Sequence, residues 1–264
     1  MPTVETRAAR IYYEFTGDRN AQVLVLANSL GSSLRMWDKV LPALRPHFRI
    51  LRYDMRGHGQ SSVPEPPYSL EQLGDDLLFL FDRLEIPCAH VCGLSLGGMV
   101  AQWMGIDAPD RVRRLIFANT AARIGDRDGW QQRIAAVESS GMEPLANASL
   151  QRWFTPDYCL RHPEEMETIR AMIAATPARG YAGCCAALRD ADLRAQVAAI
   201  AAPCLVIAGK HDPATPPADG RALHAALRQA RYVELDASHI SAWEQHQQFA
   251  QAVQAFLQEE HRHG

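Results

Sequence analysis

A serine stands between glycines in the segment Gly93-Leu94-Ser95-Leu96-Gly97. The apolar residues 89–92 before it predict a buried strand, and the residues that follow it to Trp103 predict a helix. This is the G-x-S-x-G pattern in the strand–turn–helix setting that it requires, where a sharp turn exposes the serine hydroxyl. Ser95 is therefore the predicted nucleophile of an acyl-transfer reaction.

A serine nucleophile needs a base that takes its proton, and the base needs a group that orients it. Where the nucleophile follows a strand in this way, an acid and then a histidine come later in the chain. Asp212 follows the apolar residues 204–208, and His239 follows a second apolar run at residues 232–235. Both runs predict strands, so we predict a catalytic triad of Ser95, Asp212 and His239.

Other acidic residues and histidines fit these roles less well. Asp236 comes only three residues before His239, too close to the predicted strand end to face that imidazole. Asn119 occupies the end of the preceding predicted strand, from which some proteins take the acid. We expect His211 at the surface and His58 as a brace for a glycine-rich loop. The histidines show neither H-x-x-x-H nor H-E-x-x-H spacing, so no metal site is predicted.

The negative charge of a tetrahedral intermediate needs hydrogen-bond donors, which we predict to be two backbone amides. One is the N–H of Leu96, the residue after the nucleophile. The other comes from the loop after an earlier predicted strand, residues 23–27, and the N–H of Leu30 is the predicted group. Neither role depends on a leucine side chain.

Short apolar runs recur along the chain and predict the strands that position these groups. They are residues 11–15, 23–27, 50–53, 89–92, 115–118, 204–208 and 232–235. Uninterrupted hydrophobicity is typical of parallel strands that are covered on both faces. Helical patterns lie between these runs, and Ser69 and Gln72 form a capping box at the start of one of them. Alternating strands and helices predict a doubly wound α/β sheet.

The alternation stops between residues 120 and 196, where only helical patterns occur, such as residues 130–137, 164–174 and 181–188. We predict that residues 120–196 form a helical cap, or lid, inserted after the sixth strand, over the catalytic edge of the sheet. Residues 1–119 and 197–264 then form the core. At the C-terminus we expect a docked helix followed by a frayed tail, residues 261–264.

The composition excludes several classes of protein. Of 264 residues, 47% are hydrophobic and 22% are charged, as in ordinary globular proteins. The net charge of −3 lacks the basic excess of nucleic-acid binders, and no apolar stretch is long enough to span a membrane. The N-terminus has no apolar signal-peptide core, and the six cysteines form no C-x-x-C pair. We therefore expect a cytoplasmic protein with no nucleic-acid or membrane partner.

From about residue 11 to residue 257, the chain resembles the α/β-hydrolase fold superfamily and, within it, the 3-oxoadipate enol-lactonases. The segments that carry this resemblance are residues 28–31, 51–59, 92–95, 119–124, 152–155 and 237–241. The resemblance implies an eight-stranded, mostly parallel sheet flanked by helices. It also implies hydrolysis of a small-molecule lactone, 3-oxoadipate enol-lactone, to 3-oxoadipate in the β-ketoadipate pathway of aromatic degradation, with neither a metal nor an organic cofactor.

The implied substrate carries a carboxylate, for which the planar guanidinium of arginine is a well-suited partner. Among the cap arginines we predict Arg133, because it comes three residues after Trp130 and both project from one helix face. The indole of Trp130, and also Trp153, would then form flat walls for the lactone ring. In the alternative, Trp130 packs in the core with Ile134 and Val137, and Arg133 covers its edge.

Two other functions are compatible with the same residues. One is the hydrolysis of another small ester or lactone, or a cofactor-free perhydrolase reaction, with the same triad. The other is a ligand receptor that binds without turnover, against which the complete triad and both donor loops argue. The sequence predicts no oligomeric state.

Overall fold

The computed structural model describes residues 2–259. Within this range, eight strands form a single sheet. They are β1 (Thr3–Glu5), β2 (Arg10–Thr16), β3 (Val23–Ala27), β4 (Arg49–Tyr53), β5 (Ala89–Leu94), β6 (Val112–Ala118), β7 (Cys204–Gly209) and β8 (Ala230–Leu235). Every strand expected from an apolar run is confirmed. β5 and β7 are buried along their whole length, which explains why their hydrophobicity is continuous.

The strand order places the predicted catalytic residues at one point of the sheet. It is β1-β2-β4-β3-β5-β6-β7-β8, and all neighbouring strands are parallel except that β2 runs antiparallel to β1 and β4. The order changes direction between β3 and β5. Loops that leave two such strands diverge, which opens a crevice at their carboxyl ends. Ser95, Leu96 and Leu30 all follow these two strands.

Eleven α-helices accompany the sheet within the described residues. They are α1 (Leu41–Leu44), α2 (Leu70–Arg83), α3 (Leu96–Asp107), α4 (Arg127–Ser140), α5 (Glu143–Trp153), α6 (Pro156–Arg161), α7 (Pro163–Ala174), α8 (Ala178–Asp190), α9 (Pro217–Ala226), α10 (Ser241–Glu244) and α11 (His246–Gln258). α11 is the expected C-terminal helix, whereas the expected frayed tail, residues 261–264, lies outside the described residues.

Five of these helices, α4 to α8, occupy the chain between β6 and β7. The three helical segments expected there correspond to α4, α7 and α8, and α5 and α6 are additional. Pro144, Pro156 and Pro163 lie in the first turns of α5, α6 and α7. Proline suits this position because the first turn needs no backbone N–H donor and the fixed φ is helical. The prolines therefore begin helices here. That residues 120–196 form a separate cap stays a prediction.

The start of α2 offers a test of local structure. The Ser69 hydroxyl accepts the N–H of Gln72 (3.2 Å), and the Gln72 side chain accepts the N–H of Ser69 (3.0 Å). We expect Ser69→Ala to lower the free energy of unfolding by about 1 kcal/mol, because a first-turn N–H loses its acceptor. Ser69→Asp keeps an acceptor and should retain most of the stability. Urea denaturation measures both changes, and equal losses in the two variants would contradict the capping role.

Candidate active site

Ser95 lies in the turn between β5 and α3 with backbone angles φ 58° and ψ −115°. Such a backbone is strained in a residue with a side chain, by about 1–3 kcal/mol. Gly93 and Gly97 make the turn possible. A Cβ on Gly93 would overlap the carbonyl oxygen of Gly97, and a Cβ on Gly97 would overlap that of Ala27. Both ends of the G-x-S-x-G pattern therefore need glycine.

Two hydrogen bonds from the end of β6 hold this turn. The N–H of Ser95 donates to the carbonyl of Ala118 (2.9 Å), and the Thr120 hydroxyl donates to the carbonyl of Ser95 (2.8 Å). Because both backbone groups of Ser95 are engaged, the strained conformation is retained and the direction of its side chain is set by the backbone.

Asp212 and His239 form a buried pair in the loops after β7 and β8. His239 Nδ1 lies 2.8 Å from Asp212 Oδ2. The Thr215 hydroxyl (2.8 Å) and Asn119 Nδ2 (3.0 Å) donate to the same carboxylate oxygen. The backbone N–H groups of Ala214 and Thr215 donate to Oδ1. The carboxylate is thus held on both oxygens and can keep the imidazole in one orientation.

The hydrogen bonds to Asp212 also set its charge. Burial by itself would raise the pKa of Asp212, but the contact with His239 and the hydrogen bonds from Asn119 and Thr215 outweigh it and lower the pKa. The carboxylate is therefore ionised at neutral pH. A folded-state pKa below the unfolded value means that this group adds stability near neutral pH. That contribution is lost as the pH falls through the folded-state pKa.

Asn119 is a member of the site whose contacts with Asp212 and the His239 loop were not expected from the sequence. It follows β6 with a positive φ of 44°. Its Nδ2 donates to Asp212 and to the carbonyl of Ser238 (3.1 Å), and its Oδ1 accepts the Ser241 hydroxyl (2.5 Å). Asn119 therefore connects the acid to the chain on both sides of His239. Its position after the strand that neighbours β7 was the available signal.

Ser95 and His239 line one cavity of about 250 Å³. The other walls come largely from α4, α5 and α8, through Trp130, Arg133, Ser149, Arg152, Trp153 and Tyr181. Among the described residues no hydrogen bond joins the Ser95 hydroxyl to His239. Catalytic hydrogen bonds of this kind often form fully only in the Michaelis complex. The structure thus brings the predicted nucleophile, base and substrate-binding residues into one chamber, and their roles stay predictions.

The N–H groups of Leu30 and Leu96 have the properties of oxyanion donors. Both residues are buried, yet neither N–H has a protein acceptor within residues 2–259. Buried backbone N–H groups without a partner are rare in folded proteins. Leu96 is also the first residue of α3, whose N-terminal end carries a positive potential. That both groups donate to one oxyanion stays a prediction.

His58 supports the Leu30 loop, residues 28–31. Its Nε2 accepts the N–H of Gly31 (2.9 Å). Burial lowers the pKa of His58 to about 4, so the ring is neutral at physiological pH and keeps a nitrogen that can accept.

His211 and Asp236 pair with each other away from the cavity. His211 Nε2 lies 2.8 Å from Asp236 Oδ1, and the side chains are 47% and 74% exposed. The expected surface position of His211 is confirmed, and Asp236 faces His211 instead of the buried His239.

The predicted wall of Trp130 and Arg133 is present in the cavity. The Arg133 guanidinium carbon lies 5.1 Å from the centre of the Trp130 ring, so the two side chains share a helix face. Trp130 Nε1 donates to the carbonyl of Ile124 (2.6 Å), which fixes the indole. The half-buried Trp130 also packs against the core that includes Ile134 and Val137, as the alternative expected. Lining the cavity and packing on the core are therefore compatible.

Arg152 is a second cation in the cavity, and sequence reasoning missed it although it named the neighbouring Trp153. Burial lowers the pKa of Arg152, and the positive charge of Arg133 lowers it further. Arg133 is 3.5 Å from the Tyr181 hydroxyl. Within residues 2–259 neither guanidinium has a carboxylate partner. Two such groups in one chamber favour an anionic ligand.

We also searched the described residues for a metal site, a membrane-spanning helix and disulfide bonds. Residues 2–259 contain no group of three or more histidine, cysteine, aspartate or glutamate side chains that could hold a metal ion. In the same range, no helix has both the length and the apolar character needed to cross a bilayer. The six cysteines are all free thiols.

A strained serine turn and a buried histidine–aspartate pair at the edge of a mostly parallel sheet are typical of hydrolases with an activated serine. The chain belongs to the α/β-hydrolase fold family, whose model, described as alpha/beta hydrolase fold, matches residues 22–245.

More specific similarities are to enol-lactonases. The chain is 41% identical to 3-oxoadipate enol-lactonase 2 of Acinetobacter baylyi, over 97% of this chain and 96% of that protein. It is 39% identical to 3-oxoadipate enol-lactonase 1 of the same organism, over 92% and 91%. The crystal structure of the enol-lactonase from Burkholderia xenovorans LB400 has a TM-score of 0.96 and 46% identity, covering 98% of this chain and 100% of that one. The protein is thus a hydrolase, and the predicted fold class is confirmed.

Ser95→Ala tests the nucleophile. We expect it to abolish turnover and to leave the fold intact, because the alanine keeps the backbone of the turn and removes only the attacking oxygen. A serine-directed phosphonylating reagent, followed by peptide mass spectrometry, should label Ser95 alone among the serines. A label on Ser29 or Ser238 would refute the assignment.

Asp212→Asn tests the acid, with Asp236→Asn as its matched control, since each aspartate accepts a hydrogen bond from a histidine. We expect Asp212→Asn to lower kcat by about 10³–10⁴, because an amide holds the imidazole in the wrong tautomer. Asp236→Asn should have little effect. Steady-state kinetics on any ester that the protein hydrolyses measures kcat for both variants. A larger loss of kcat in Asp236→Asn than in Asp212→Asn would show that Asp236 is the acid of the triad.

Proposed function

We propose that this protein is a serine hydrolase that opens 3-oxoadipate enol-lactone to 3-oxoadipate. The proposal rests on the shared cavity, in which Ser95 and His239 occur together with the guanidinium groups of Arg133 and Arg152. A substrate with a reactive acyl carbon and a carboxylate a short distance away fits both features. The similar enol-lactonases of A. baylyi and B. xenovorans support this choice.

In the proposed reaction, the Ser95 hydroxyl attacks the lactone carbonyl carbon while His239 accepts its proton. Asp212 holds the imidazole in the tautomer that leaves Nε2 free to accept, and it stabilises the imidazolium that forms. The N–H groups of Leu30 and Leu96 donate to the oxyanion. Such a donor contributes about 10²–10³ in rate in other hydrolases, so these two amides would supply much of the acceleration.

Collapse of the tetrahedral intermediate breaks the bond between the acyl carbon and the ring oxygen. The leaving group is an enolate, which needs less protonation than an alkoxide. It takes up the proton that His239 accepted from Ser95 and becomes a ketone, and His239 is neutral again. A water molecule, deprotonated by His239, then attacks the acyl group on Ser95, and His239 returns that proton to the Ser95 oxygen as the acyl bond breaks. The net reaction consumes one water and yields 3-oxoadipate.

We propose that Arg133 and Arg152 bind the carboxylate of the substrate, while Trp130 and Trp153 form apolar walls for its ring. A hydrogen bond to a charged group contributes about 1.5–3 kcal/mol. The two guanidiniums repel each other in the cavity, so a carboxylate between them also relieves that repulsion. Both effects favour a charged lactone over a neutral ester.

The proposed reaction needs only proton transfers and charge stabilisation at an acyl carbon, so we propose that it uses neither a metal nor an organic cofactor. Its proposed setting is the β-ketoadipate pathway of aromatic degradation, in the cytoplasm. The small-molecule lactone is the proposed partner, with no role for nucleic acid or a membrane surface. Residues 120–196 are proposed to act as the cap that covers the bound substrate.

The direct test follows the loss of the ultraviolet absorbance of the enol-lactone with purified protein, and Ser95→Ala serves as the negative control. We expect loss of absorbance with the wild type alone. A neutral aryl ester provides the comparison: a kcat/KM for the ester equal to or above that for the lactone would favour a general esterase. Binding of the lactone without turnover would favour a receptor.

Arg133→Met tests the carboxylate contact. We expect it to weaken kcat/KM for the enol-lactone by about 1.5–3 kcal/mol, the range for a hydrogen bond to a charged group, and to leave an uncharged aryl ester almost unchanged. Arg127 lies on the same helix but is exposed and paired with Asp190, so Arg127→Met is the matched control. Equal losses on both substrates in Arg133→Met would indicate a damaged cap instead of a missing carboxylate partner.

A further inference from the structure

Glu244 is a buried carboxylate that the proposed reaction does not use. It ends α10, the short helix that follows His239, and it is only 8% exposed. Within residues 2–259 it forms no salt bridge, and its hydrogen bonds come from neutral donors. A carboxylate is costly to bury unless its hydrogen bonds are made. The donors that it satisfies therefore show which parts of the protein it holds together.

On one side, Glu244 closes the chain around His239. Its Oε2 accepts the backbone N–H of Ser238 (2.9 Å), the residue directly before His239. Asn119 Nδ2 holds the carbonyl of the same serine at 3.1 Å. Both backbone polar groups of the residue that precedes the predicted base are thus fixed by side chains.

On the other side, Glu244 holds the chain that follows α5. Its carboxylate accepts the backbone N–H of Thr155 (3.2 Å) and, in a short hydrogen bond, the Thr155 hydroxyl. Thr155 is the N-cap of α6 and comes two residues after Trp153, where α5 ends. One carboxylate therefore contacts both the His239 loop and the junction between α5 and α6.

Two further hydrogen bonds join the same segments. The Ser238 hydroxyl donates to the carbonyl of Arg152 (2.8 Å), and the N–H of Ile240 donates to the carbonyl of Trp153 (3.0 Å). The residues before and after His239 are thus bonded to Arg152 and Trp153, two of the α5 residues that line the cavity.

We propose that Glu244 is a positioning residue that joins His239 to the cavity wall formed by Arg152 and Trp153. Because the two segments share this carboxylate, the imidazole and the wall keep a fixed separation. A substrate whose carboxylate binds to Arg152 then presents its acyl carbon at a set distance from His239. The part that concerns the substrate carboxylate rests on the proposed function, whereas the support of His239 does not.

The test compares Glu244→Gln with Thr155→Val on the enol-lactone and on a neutral aryl ester. Glutamine has one acceptor oxygen, so it cannot serve both Ser238 and Thr155 without turning its amide N–H groups toward a donor. We expect Glu244→Gln to lower kcat by about 10- to 100-fold on both substrates, with an unchanged KM for the ester, because a small displacement of a catalytic group has effects of this size. Thr155→Val removes only the hydroxyl donor on the wall side and keeps the Ser238 N–H on the carboxylate, so it should raise the KM for the enol-lactone and lower kcat on the ester less than Glu244→Gln does.

Glu165→Gln is the matched control for a general loss of stability when a carboxylate with several hydrogen bonds is replaced. Glu165 also accepts several hydrogen bonds, from the side chains of Lys39, Tyr158 and Trp243, but none from residues 152–155 or 238–240. We expect this variant to lower Tm and to leave kcat on both substrates unchanged. An equal loss of kcat in Glu165→Gln and Glu244→Gln would overturn the proposal, since it would show that any loosening has this effect.

Proton NMR separates positioning from loss of stability. We expect the hydrogen between His239 Nδ1 and Asp212 Oδ2, which lie 2.8 Å apart, to give a far-downfield resonance that broadens or shifts in Glu244→Gln and stays unchanged in Glu165→Gln. Wild-type kcat on the ester together with an unchanged resonance in Glu244→Gln would overturn the proposal. If Glu244→Gln does not fold, Glu244→Asp takes its place, because the shorter side chain draws the carboxylate away from the N–H of Ser238, and an unchanged resonance there has the same meaning.

The ester assay and the resonance do not involve the enol-lactone. If the protein fails to open that lactone, the proposed function is wrong, and the effect of Glu244 on His239 is still measured.

Discussion

The close approach of Gly97 to the carbonyl of Ala27 is the contact on which the rest of the site depends. No side chain fits between them, so α3 begins directly against the end of β3, and the N–H of Gly97 donates to the carbonyl of Asn28 (3.0 Å). This contact places the free amides of Leu30 and Leu96 in neighbouring loops, where the strand order reverses. The strained backbone of Ser95 persists because the surrounding packing leaves it no alternative. The strained backbone of the predicted nucleophile is thus a consequence of backbone packing.

The charge of the Asp212 carboxylate and the charges of the cavity arginines, Arg133 and Arg152, are compensated to different extents. Asp212 is a buried anion whose charge is already compensated by hydrogen bonds from Asn119, Thr215 and its histidine partner. Arg133 and Arg152 are cations of the cavity without such compensation in the described part of the chain. A polar group left without a partner costs stability, and proteins retain such costs mainly where function requires them. The Asp212 carboxylate is therefore compensated within the protein, whereas the positive charge of Arg133 and Arg152 fits the anionic ligand proposed above.

The fold could be predicted, and the residues that meet at the sheet edge could be named, because their signals are local. Continuous apolar runs predict strands buried on both faces, and the glycines around Ser95 predict a turn that no other residue permits. The roles of Asn119 and Arg152 depend instead on contacts between distant parts of the chain, which no local pattern records. Asn119 is separated from Asp212 by 93 positions. The helices α5 and α6 are not among the segments named from the sequence, and each has a proline in its first turn, where proline begins a helix.

The hydrogen bonds between α5 and the His239 loop affect how the substrate specificity of such a fold can change. The edge of the sheet determines the reaction, and the helices between β6 and β7 supply much of the wall around the substrate. If those helices were only a cover, changes in them would alter binding and leave the chemical step untouched. Here the carbonyl groups of Arg152 and Trp153 are bonded to residues on both sides of His239. A change in the wall therefore also moves the base, so substrate choice and rate are constrained together.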